Sequence, residues 1–215
     1  MRELNAEDLP RLIAQRTRAH GAEKYFIDFL ISLIRVENNY IMWPYGINDK
    51  GDENKQIIER VFAYEFYHQW RKVTEEFKYE NLIINGEILK SSVYRQTDID
   101  LVYPDLILHE HQNNMNKQLI ACEIKTSKAL LHTNGKKGLK KDLLKLSSYR
   151  DALQFEYCVF LQVLDLEDCF NSSICPYLNR IKNQLTNLDS IYFVIKEFHG
   201  VIKYDTLQNI INNFS

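Results

Sequence analysis

A chain of 215 residues with 45% apolar and 26% charged side chains has the makeup of one ordinary globular domain, which excludes intrinsic disorder. The formal net charge is −2, so the overall balance gives no sign of a polyanionic partner. Cys122, Cys158, Cys169 and Cys175 form no CxxC pair and no metal-ligand spacing, a pattern that predicts buried, reduced thiols.

The opening MRELNAEDLP is too polar and acidic for a signal peptide. The most apolar stretch, 25–36, is too short to span a bilayer and contains Asp28 and Arg35. A cytoplasmic protein with no membrane partner is expected. Residues 6–36 read as two helices broken near Gly21, with apolar positions at Leu9, Leu12, Ile13 and then Phe26, Phe29, Leu30, Leu33 and Ile34. Residues 1–45 are therefore set apart as an N-terminal helical extension, and 46–215 as the core domain. The segment 46–54 is rich in Gly, Asn and Asp but lacks EF-hand ligand spacing, so it predicts a solvated loop.

A helix over about 55–78 follows, with Phe62, Phe66, Trp70, Val73 and Phe77 forming one buried stripe. Apolar runs at 82–89, 101–110 and 118–126 predict three strands in a meander. A Gly- and Lys-rich loop at 133–138 leads into a helix over 139–154, then a buried strand at 157–163. A helix near 175–188, a strand at 190–198 and a short terminal helix complete an α/β fold with a mixed sheet.

Chemistry concentrates where strand faces should be apolar. In Ala121-Cys122-Glu123-Ile124-Lys125, alternation puts Glu123 and Lys125 on one face and Cys122 and Ile124 on the other. Pro104-Asp105 opens the preceding apolar run, Leu106-Ile107-Leu108, and a hairpin between the two strands brings Asp105 near Glu123. Two carboxylates and an ammonium are costly in a core, whereas around a hard cation they suit phosphodiester cleavage. The plainer alternative is a cross-strand salt bridge on an exposed sheet face.

Pro104-Asp105, an apolar strand and then Glu123-Ile124-Lys125 resembles the PD-(D/E)xK nuclease superfamily, over roughly residues 55–165. The resemblance implies a restriction-endonuclease-like α/β sandwich, its mixed central sheet flanked by helices, here with the N-terminal helical extension. It implies that Asp105, Glu123 and the backbone carbonyl of Ile124 hold Mg²⁺, with Mn²⁺ as a substitute. Lys125 would orient or help deprotonate the attacking water and steady the charge of the transition state. A glutamate on the first core helix supplements the metal site in that superfamily, and Glu59 sits in the matching place, three residues before Phe62. A first-turn acid favoured by the helix dipole is the other explanation of Glu59. Glu65 is its rival, about 120° round the helix. Glu87, on the first strand, is peripheral.

Between Lys125 and Arg150 stand eight basic residues and one acid, Asp142. Lys136, Lys137, Lys140, Lys141 and Lys145 are the candidate nucleic-acid contacts, with Lys141 and Lys145 best placed to face a phosphate. A solvated loop and helix start explains these lysines without DNA. His109-Glu110-His111 predicts a surface strand end, and His68 and His132 stand alone. The functional expectation is a metal-dependent deoxyribonuclease, an endonuclease, with DNA as partner and a homodimer suited to double-strand cutting. A catalytically silent nucleic-acid-binding or assembly subunit is the alternative, and an interaction domain with no nucleic-acid role is a third.

Overall fold

The computed structural model describes residues 1–37, 43–47, 53–56, 59–86, 104–110, 117–126, 133–163 and 170–213. Glu87, His111, His132 and Cys169 lie outside these residues. The chain opens with strand β1 (Arg2–Leu4), then helices α1 (Leu9–Arg16) and α2 (Glu23–Arg35). Gly21, at φ +60°, supplies the left-handed backbone that separates the two helices. Strands β2 (Trp43–Ile47) and β3 (Glu53–Gln56) pair antiparallel as a separate two-stranded sheet. Residues 46–47 and 53–54, expected within a loop, belong to β2 and β3, and residues 48–52 of that loop lie outside the described residues. Residues 55–56, expected to open a helix, close β3. The helix, α3, runs Glu59–Glu76.

The main sheet has seven strands in the order β1-β9-β8-β7-β6-β5-β4. Strands β4 (Leu82–Gly86), β5 (Leu106–Glu110) and β6 (Gln118–Lys125) form the expected antiparallel meander. Helix α4 (Thr133–Leu153) then crosses over to β7 (Tyr157–Val163), which runs parallel to both β6 and β8 (Ile191–Lys196). Strand β9 (Ile202–Thr206) returns antiparallel to β8, and β1 closes the edge against it. Helices α5 (Cys175–Ile181) and α6 (Leu207–Asn213) complete the chain.

Register decides which residues share a face. Asp105, Ile107, Ala121, Glu123, Lys125, Phe160, Gln162 and Phe193 fall on one side; Leu106, Cys122, Ile124, Val159 and Tyr192 fall on the other. On the second side, the Phe26 ring of α2 stacks on Tyr157 at 4.8 Å and meets Tyr192 at 4.4 Å. Phe29 meets Phe66 and Trp70 of α3 edge-on at 5.0 and 5.2 Å. On the first side lie α4, through a Lys145–Glu123 ion pair, and Phe170 against Phe193. Helices therefore cover both faces of a mixed sheet.

Several expectations change. The segment 1–45 was expected as an extension, yet β1 is a strand of the main sheet and α2 builds the core beside α3. The loop expected at 133–138 is the first part of α4, because burial of Leu139, Leu143 and Leu146 organises a helix that extends back through two glycines. His109, expected at the surface, is buried, with its ring 2.8 Å from the Asn85 side chain. Its strand, β5, is flanked on both sides. Cys122, Cys158 and Cys175 are free and buried. Among the described residues no helix is long and apolar enough to cross a membrane.

Candidate active site

Leu106 pairs with Cys122 across β5 and β6. One residue further along that register, Asp105 stands opposite Glu123. The Ile124 amide donates to the Asp105 carboxylate at 2.6 Å, which fixes the acid at the strand end. Glu123 is 1% exposed, and its carboxylate meets the Lys145 ammonium at 2.8 Å. Lys125, on the same face as Glu123, is 3.9 Å from Asp142 of α4.

The electrostatics follow from crowding acids in a dry place. Burial first, and Asp105 second, push the Glu123 carboxyl up to about 8, while Lys145 works the other way. Burial also raises Glu59, with Asp105 and Asp142 adding to the rise; Lys125 and the Thr126 amide oppose it. Burial alone would lower Lys125, but Asp142, Glu59, Asp105 and Glu123 hold its ammonium above the ordinary value. Lys125 is thus a firmly protonated cation among four acids.

The expected residues do not all stand alike. Asp105, Glu123 and Lys125 come together, and Glu59 lines a cleft with Asp105 and Ile124. Glu65 instead accepts from Gln69 along its own helix at 2.6 Å. Lys136, Lys137, Lys140, Lys141 and Lys145 all lie on α4. Lys137 and Lys141 are exposed, Lys136 and Lys140 half-buried, and Lys145 is turned inward to Glu123.

Two further residues belong to the neighbourhood. Asp142 sits within the inward stripe of Leu139, Leu143 and Leu146, a polar interruption visible in the sequence. Gln162 is the register partner of Lys125 on β7 and fully buried, and neither atom of its amide has a hydrogen-bond partner among the described residues. Leaving it so costs about 1–3 kcal/mol, which structure alone does not demand.

The donors fit a hard cation in kind: Asp105, Glu123 and the Ile124 carbonyl are all oxygen ligands. Burial raises the Glu123 carboxyl first, and the repulsion from Asp105 that adds to the rise is what a divalent charge between them relieves. Among the described residues no three His, Cys, Asp or Glu side chains are grouped to hold an ion. Two carboxylates and a carbonyl suit Mg²⁺ nonetheless, since that ion keeps several waters. No protein-family profile, curated protein or solved structure matches the chain.

Proposed function

We propose that the chain is a metal-dependent nuclease of the PD-(D/E)xK kind, hydrolysing DNA phosphodiester bonds at Asp105, Glu123 and Lys125. One observation carries the reading: Asp105 faces Glu123 across two strands, with Lys125 on the same face and Glu59 beside it. Gln162 adds weight, because a buried unpaired amide next to Lys125 is the kind of cost tolerated at working sites.

In this reading Asp105, Glu123 and the Ile124 carbonyl hold Mg²⁺ or Mn²⁺, with Glu59 at the margin. The ion supplies Lewis-acid charge to the phosphate. Lys125 keeps its proton at Nζ under the influence of four acids, so its part is to orient the attacking water and stabilise growing negative charge. Asp142 aims that ammonium. The exposed Lys137 and Lys141 attract the phosphate backbone.

The Lys145–Glu123 pair favours a second reading, in which the acids are already neutralised and the chain binds nucleic acid without cutting it. Plasmid and single-stranded DNA incubated with Mg²⁺, Mn²⁺ or EDTA separate the two. Metal-dependent cutting that disappears in Lys125→Ala is expected. Full activity in that variant removes Lys125 from the mechanism, and no cutting of either DNA turns the weight to the binding subunit.

A further inference from the structure

A cleft of about 530 Å³ opens beside the acids, lined by Glu59, Arg60, Tyr64, Tyr67, Asp105 and Ile124 among others. Its size falls within the usual range for small-molecule sites. One wall is α3, whose Arg60, Tyr64 and Tyr67 recur at spacings of four and three and so form a single ridge. That ridge differs in kind from the buried stripe of Phe62, Phe66, Trp70 and Val73. It carries two aromatic rings and a cation.

Tyr64 is 65% exposed, and among the described residues only Leu144 is another large apolar side chain left in water. It meets no other aromatic ring among them. Tyr67 is different, since it packs on the core and its hydroxyl takes a hydrogen bond from Arg71. The cleft therefore has one anchored ring, one uncovered ring and an exposed guanidinium beside the acids. Planar rings offer a face to a base, Arg60 offers charge to a phosphate, and Asp105 with Glu59 marks the reacting end.

We infer that this cleft is a nucleobase subsite: an unpaired base of a single DNA strand stacks on Tyr64, with its phosphate against the Arg60 guanidinium. The inference rests on the nuclease reading for its placement, and it names the substrate class, single-stranded or locally unpaired DNA. A base inside a duplex is already stacked on its neighbours and cannot reach the ring without being extruded.

The test uses the full chain in Ca²⁺ and a short oligothymidylate carrying one 2-aminopurine, with the strand checked for intactness. Stacking is expected to quench the fluorophore as the complex forms. Tyr64→Ala should remove the quench and weaken binding by about 5- to 100-fold, the range for one base–aromatic stack. Tyr64→Phe should keep both, since the ring and not the hydroxyl makes the contact. A duplex with the same fluorophore should show no quench that depends on Tyr64. Affinity and quench unchanged in Tyr64→Ala overturn the subsite, as does equal dependence on Tyr64 in the duplex. Binding is read without cutting, so the two proposals fail separately. A quench dependent on Tyr64 in a chain that never cuts sinks the nuclease reading alone. Cutting lost in Lys125→Ala, with a quench indifferent to Tyr64, sinks the subsite alone.

Discussion

Glu123 carries an ionisable group in the sheet interior, opposite a second acid, and its titration exposes that arrangement. Its carboxyl rises to about 8 from an ordinary 4.5. Between those values the folded chain keeps a proton that the unfolded chain releases, so stability falls as pH climbs from about 4.5 to about 8. In EDTA, Glu123→Gln should therefore show a shallower loss of stability across pH 4–8 than the wild type. The difference in slope should accumulate to a few kcal/mol at most, given about 1.4 kcal/mol per unit of pKa. Parallel melting curves across that range would contradict the raised carboxyl. At this scale the sequence was informative where alternation alone decides: Asp105, Glu123 and Lys125 meet because strand residues two apart share a face. Their partners were not legible. Lys145 lies 22 positions beyond Glu123 in the chain, and its inward turn depends on how α4 crosses the sheet. Asp142 could have been suspected from its place among inward leucines, but not assigned to Lys125.

Helices announced themselves by their stripes and concealed their ends. The aromatic stripe of α3 is written at helical spacing, and Phe62, Phe66 and Trp70 are all fully buried. The start of α4 was obscured by Gly135 and Gly138, which ordinarily punctuate loops. Burial of the leucines further along outweighs that local preference. Helix α2 shows what such burial contributes. Phe29 is fully buried against Phe66 and Trp70, so Phe29→Ala should destabilise the fold by about 3–5 kcal/mol in urea unfolding. A loss below about 1 kcal/mol would mean that α2 does not belong to this core. The exposed face of α4 makes a different prediction. Lys137→Ala with Lys141→Ala should lower the salt slope of single-strand binding by about 0.7 per lysine that meets a phosphate. A slope equal to the wild type would place the phosphate elsewhere.

The whole molecule joins segments that look separate along the chain. The first strand, β1, has three residues, of which only Leu4 is buried, too little pattern to read as a strand. Strand β9 was hidden beside the terminal helix, in a run where Lys203 and Asp205 alternate with apolar positions. Their pairing, Arg2 with Tyr204 and Leu4 with Ile202, ties the start of the chain to its end. Deleting residues 1–5 should strip that edge and lower the melting temperature by roughly 5 °C, as a loss of about 2 kcal/mol does in a domain of this size. An unchanged melt would show the strand to be decorative. The same closure frames the acids, because β4 to β9 are held in one sheet whose interior strands, β5 and β6, bring Asp105 opposite Glu123. Whether those acids gather a cation or serve only as a salt-bridged cluster is decided by titrating the chain with Mn²⁺ in a calorimeter, beside Asp105→Asn. Saturable binding in the wild type and none in a folded Asp105→Asn is the predicted result; the same isotherm in both would contradict the metal centre.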